Sequence, residues 1–80
     1  MDKIKVYTRE HCQPCRMTKL ALAKAALEFI EIPLSDVPEL VGEFQAEGLL
    51  QAPVVDTGEE RWSGFRLDKI KALAEERDDG

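Results

Sequence analysis

Between Lys3 and Thr8 the chain alternates polar and apolar residues, with Ile4 and Val6 on one side and β-branched residues throughout. A period of two with that content predicts a strand. After a short turn, Arg9-Glu10-His11, the period becomes helical. From Cys12 to about Ala26, Met17, Leu20, Ala21, Ala23 and, just beyond, Leu27 recur at helical spacing among abundant alanines. Pro14 suits the first turn of that helix, where a missing N–H costs no intrahelical bond. Glu28 to Leu34 reads as a second strand carrying Phe29, Ile30 and Ile32, and Pro33 near its end marks an edge or terminal position. Ser35-Asp36-Val37-Pro38-Glu39 reads as a helix start, with Asp36 as cap and Glu39 reaching back. Leu40, Val41 and Phe44 form its buried stripe, and Gly48 stops it.

Leu49 to Ala52 is a loop. Pro53 to Asp56 is a short strand, Thr57-Gly58 a turn and Glu59 to Trp62 its hairpin partner. A second turn, Ser63-Gly64-Phe65, leads into a last helix from Arg66 to about Arg77, with Leu67, Ile70, Leu73 and Ala74 facing inward. The tail Asp78-Asp79-Gly80 is expected to fray. The order is β-α-β-α-β-β-α. Two strands joined through a helix of this length pair in parallel, and the terminal hairpin adds antiparallel strands. The expected fold class is therefore α/β: a small mixed sheet with helices on both faces.

Eighty residues suffice for one domain, taken as 1–80. Eleven basic against sixteen acidic residues leave a net charge of −5, which argues against nucleic acid as a partner. No apolar run reaches the roughly 20 residues of a membrane span, and Met1 to Lys5 lacks the apolar core of a signal peptide. A cytoplasmic location is expected.

The two cysteines change the picture most. Cys12-Gln13-Pro14-Cys15 places them three apart at the opening of the first helix, directly after the first strand. A bridge this short closes almost no loop, so its value lies in chemistry more than in stapling. Residues three apart on a helix share a face at about 5–6 Å between Cβ atoms, within a small adjustment of disulfide geometry. Cys12, at or just inside the helix N-terminus, meets orphan N–H groups and the positive end of the helix dipole, which favour the thiolate. Cys15 lies a turn deeper and suits the resolving role. Arg9, His11, Arg16 and Lys19 add positive charge nearby, although each alone reads as a solvated surface residue. A zinc site is short of ligands, with His11, Cys12 and Cys15 as the only strong candidates, so no metal is expected. A CxxC in this context is the pattern of a thioredoxin-like redox site. Proline at position 14 is similar to the motif of thioredoxin. It points to a potential nearer about −270 mV than the roughly −200 to −230 mV of glutaredoxins. Gln51-Ala52-Pro53-Val54-Val55 is a second candidate element, and by itself Pro53 reads as an ordinary trans proline opening a strand.

Taken together, Val6-Tyr7-Thr8-Arg9, Cys12-x-x-Cys15, Thr18-Lys19, Gln51-Ala52-Pro53-Val54-Val55 and Trp62-Ser63-Gly64-Phe65-Arg66 resemble the NrdH-redoxin family. These are glutaredoxin-like proteins of the thioredoxin superfamily that donate electrons to class Ib ribonucleotide reductase. The likeness runs from about Ile4 to Leu73, and Trp62 to Arg66 is its most specific piece.

The resemblance implies a thioredoxin-like, glutaredoxin-type fold with a four-stranded sheet, and a protein-disulfide reductase that cycles Cys12 and Cys15. It implies reduction by thioredoxin reductase with electrons from NADPH and no bound cofactor; the contacts of such a cycle are weak and transient, so a monomer is expected. The resemblance implies that the Ala52–Pro53 bond is cis. It also implies that Gln13, Pro14, Ala52, Pro53, Trp62, Ser63, Gly64, Phe65 and Arg66 shape the partner-binding face. Trp62 and Phe65 read equally as core or as an apolar rim around Cys12, and Tyr7 reads as packing. Glutaredoxins grip glutathione with a Gly-Gly and an acidic pair after the hairpin, where this chain has Ser63-Gly64-Phe65-Arg66. A glutathione-dependent glutaredoxin is the alternative reading. Two further rivals are a binding subunit with a redox-sensitive clip and an iron–sulfur carrier. Two positions depart from the family: Gln13-Pro14 replaces its usual Val-Gln or Met-Gln, and Leu67 replaces proline. Leu67 reads as a core residue.

Overall fold

The structure is a computed structural model that describes residues 3–77. Ile4 and Val6 on one face and Tyr7 on the other suit β1 (Ile4–Thr8) to an interior place in the sheet, buried from both sides. It is followed by α1 (Gln13–Lys24), β2 (Phe29–Pro33), a 3-10 turn over Leu34–Asp36, α2 (Pro38–Ala46), β3 (Val54–Asp56), β4 (Arg61–Ser63) and α3 (Leu67–Arg77). The sheet order is β2-β1-β3-β4. β1 and β2 pair in parallel, and β3 runs antiparallel to both β1 and β4. This is the mixed sheet that the order of elements implied, in the thioredoxin-like arrangement that the resemblance implied, and Pro33 closes an edge strand as expected.

Two apolar clusters sandwich the sheet. Ile4, Val6, Val55 and Trp62 pack with Leu22 of α1 and with Ile70 and Leu73 of α3. On the other face Tyr7 and Val54 pack with Phe44 of α2. The Tyr7 and Phe44 rings meet edge to face at 5.1 Å, so Tyr7 is a packing residue. Burial pushes its hydroxyl pKa up, and the Asp56 carboxylate adds to the rise.

Several local expectations are corrected. The inward stripe of α1 is Cys15, Thr18 and Leu22, whereas Met17 and Leu20 are 41% and 57% exposed. The helix starts at position 13 with its cysteine face on the sheet, which rotates the longer apolar side chains outward. Asp36 does not cap α2: the N-cap is Val37, with no side-chain bond. Pro38 sets the first helical φ and bars Val37 from helical geometry, so Asp36 is left in the separate 3-10 turn. The second hairpin strand begins at Arg61 instead of Glu59. Thr57 Oγ1 accepts the Glu59 and Glu60 N–H groups, and Asp56 accepts that of Gly58, which holds residues 57–60 out of the ladder. Ser63 is correspondingly the last residue of β4 instead of a turn residue. Leu67 is 43% exposed, not core, because it is the first residue of α3 and stands a turn ahead of the buried pair Ile70 and Leu73. The tail Asp78–Gly80 lies outside the described residues.

Candidate functional site

Cys12 is the N-cap of α1. Its backbone is extended, and its sulfur accepts the Cys15 N–H at 3.2 Å. His11, in the left-handed region at φ 54°, turns the chain from β1 into that cap. The two cysteines are joined as a disulfide with Cα atoms 5.3 Å apart, inside the usual range. Cys12 is half-buried and Cys15 only 3% exposed. An incoming disulfide therefore reaches the first sulfur and not the second. The N–H bonded to Cys12, together with the aligned peptide dipoles of α1, favours negative charge at that sulfur once the bond is opened. Pro14 occupies the second helical position, where it costs no helix bond.

Cys12, Gln13 and Cys15 line a cleft of about 490 Å³ shared with Thr8, Glu31 and the basic residues Arg9, His11, Arg16 and Lys19. Glu31 has no counterpart in the reading of the sequence. Ile4 and Val6 face α1, and Glu31 stands opposite Val6 in the parallel ladder. Its carboxylate accepts the Thr8 hydroxyl at 2.9 Å and, through both oxygens, the Lys19 ammonium at 3.1 Å. Those bonds, Thr8 first and Lys19 second, hold the Glu31 carboxyl below the usual glutamate range. Lys19 is thus a paired cation, whereas Arg9, His11 and Arg16 make no ion pair among the described residues.

The loop before β3 supplies the second element. The Ala52–Pro53 bond is cis, and both residues are buried. The Pro53 carbonyl accepts the Gly64 N–H at 2.8 Å, which ties this loop to the turn after β4. Gly64 is buried at φ 81°, and a Cβ there would lie 2.7 Å from Gln51 Oε1. Gln51, Pro53 and Gly64 are therefore one assembly.

The run Trp62 to Arg66 divides. Trp62 is 4% exposed and belongs to the core, with its indole N–H buried and without a protein partner among the described residues. Ser63 and Phe65 are half-buried, and Phe65 packs against the same core. Arg66 is exposed and folds back in a two-bond pair with Asp68, at 3.1 and 2.9 Å. Thr18, a turn below Cys15, is fully buried with a hydroxyl that likewise lacks a protein partner among the described residues.

The sequence profile of the glutaredoxin family matches residues 4–62. The chain is 41% identical to the Escherichia coli glutaredoxin-like protein NrdH over 71 residues, covering 89% of this chain and 88% of that one. The chain belongs to the NrdH-redoxin branch of the glutaredoxin family. A Lactococcus lactis NrdH is 32% identical over 89% of this chain and 99% of its own. Among solved structures, the E. coli NrdH-redoxin superposes with a TM-score of 0.82 at 40% identity, covering 90% of this chain and 95% of that one; its structure is described as the basis for a thioredoxin-like activity profile. Family membership and the Cys12–Cys15 pair together make the protein a thiol–disulfide oxidoreductase. Among the described residues no helix is long and apolar enough to cross a membrane.

Proposed function

We propose that the protein carries electrons from thioredoxin reductase, supplied by NADPH, to class Ib ribonucleotide reductase in the cytoplasm. It does so as a monomer with no bound cofactor or metal. The single observation that carries this reading is the asymmetric pair: a half-buried Cys12 whose sulfur takes a helix N–H, beside a Cys15 that is only 3% exposed. The Cys12 thiolate attacks the client disulfide, forms a mixed disulfide and expels one client thiolate, which takes up a proton. Cys15, losing its proton, then attacks Cys12 and releases the second client thiol, leaving the Cys12–Cys15 disulfide. Thioredoxin reductase returns two electrons and two protons.

The backbone at Ala52 and Pro53 is read as the edge against which an extended client segment pairs. Gln13, Pro14, Ser63, Gly64, Phe65 and Arg66 are read as the remainder of the docking rim. The Arg66–Asp68 pair supports a thioredoxin-type partner over glutathione, because it occupies an acidic group just after the hairpin. A coupled assay tests the proposal. NADPH oxidation is expected to be fast with thioredoxin reductase and the class Ib enzyme, and slow with glutathione and glutathione reductase. The reverse result establishes the glutathione-dependent alternative. The proposed potential, nearer about −270 mV, is overturned by an equilibrium value above about −220 mV.

A further inference from the structure

The Thr8–Glu31–Lys19 cluster shares the cleft of the cysteines, and no step of the disulfide exchange described above uses it. Lys19 is four residues beyond Cys15 and seven beyond Cys12, so it stands on the same side of α1. An ammonium there stabilises a thiolate at the helix N-terminus. Glu31 opposes that effect in two ways. It engages Lys19 with both oxygens, and it sets a fixed negative charge on the wall of the cysteine cleft. The Thr8 hydroxyl orients the carboxylate from the end of β1.

We propose that Glu31 is a positioning residue that restrains the Cys12 thiolate and keeps the dithiol/disulfide couple reducing, with Lys19 as its counterweight. This rests on the redox reading of Cys12 and Cys15 given above. The sign follows from charge. A like charge disfavours the thiolate, so Glu31 raises the Cys12 thiol pKa and destabilises the reduced form relative to the uncharged disulfide. Lys19 does the opposite. The remaining charged or titratable groups on the cleft are Arg9 and His11 from the β1–α1 loop and Arg16 from α1. Glu10 and Asp36 line the neighbouring cleft beyond Thr8, Arg9 and Glu31. A neutral Glu31 leaves the basic set unopposed on the cysteine side.

The test uses Glu31→Gln, Lys19→Met and Glu31→Asp in the full chain. Two measurements are made on each: the rate of Cys12 alkylation against pH, and the equilibrium in which the disulfide plus two glutathione thiols gives the dithiol plus glutathione disulfide. Glu31→Gln is expected to lower the Cys12 pKa and raise the equilibrium constant for reduction about threefold, the effect of one solvent-screened unit charge. That corresponds to ~14 mV toward a more oxidising couple. Lys19→Met is expected to shift both quantities the other way, and Glu31→Asp to lie near wild type. Loss of packing alone does not produce opposite signs from the two halves of one ion pair. Shifts in the same direction, or none in either variant, overturn the proposal. The redox reading itself fails separately, if wild-type Cys12 alkylates no faster at neutral pH than a free peptide thiol.

Discussion

Cys12 and Cys15 were legible because their chemistry depends on a local spacing, three residues at a helix start, which no tertiary contact needs to supply. Glu31 was not. It is 12 residues from Lys19 and 23 from Thr8, and only the parallel register of β1 and β2 brings the three side chains together. Gly64 lies between these cases. A glycine in a turn is an ordinary signal, but the reason for this one is its positive φ, its bond to Pro53 and its approach to Gln51. Gly64→Ala is expected to destabilise the protein by about 0.5–1 kcal/mol, the cost of a side chain in the left-handed region less the smaller freedom of alanine in the unfolded chain. The flexible end of Gln51 can move aside and adds little. Urea unfolding measures the loss, and an unchanged midpoint with an unchanged slope overturns the expectation.

The first two helices, α1 and α2, end in the same way, yet only one ending was legible. After α2, the Leu49 N–H donates to Phe44 and the Gly48 N–H to Gln45, with Gly48 at φ 80°. After α1, the Leu27 N–H donates to Leu22 and the Ala26 N–H to Ala23, with Ala26 at φ 59°. This is one hydrogen-bonded motif, the Schellman ending, closed once by glycine and once by alanine. Gly48 announced itself, whereas Ala26 looked like more helix among many alanines, and the expected helix ran on to it. The packing of Leu27 and Leu22 in one apolar cluster holds Ala26 in a conformation that its own preference opposes. Ala26→Gly is therefore expected to stabilise the protein by about 0.5–1 kcal/mol, the relief of the left-handed strain less the extra freedom of glycine in the unfolded chain. Gly48→Ala is expected to cost a similar amount, since a Cβ there meets nothing within 4 Å and only the backbone objects. Denaturant midpoints for the pair check both signs.

At the scale of the whole molecule, an 80-residue chain has little stability to lose, about 4–12 kcal/mol in all. The face beneath α2 rests on one large side chain, Phe44, which packs on Tyr7 and lies 5.2 Å under the Arg61 guanidinium. Arg61 in turn bonds Glu43, Glu47 and Asp56, so it joins the hairpin to α2 over that ring. Phe44→Ala is expected to cost about 3–5 kcal/mol and leave the protein at the margin of folding, read as a large fall in the urea midpoint. A loss below about 1 kcal/mol would mean that the core closes over the gap. Periodicity, turn residues and close spacing act over a few neighbours, and they carry the order of elements, the mixed sheet and the sulfur pair at the start of α1. Long-range packing is what turns one face of α1 inward, buries Trp62 while leaving Leu67 at the surface, and stands a strand carboxylate beside the cysteines. Those outcomes depend on strand register and helix rotation, which are set by the fit of distant surfaces and leave no local mark on the chain.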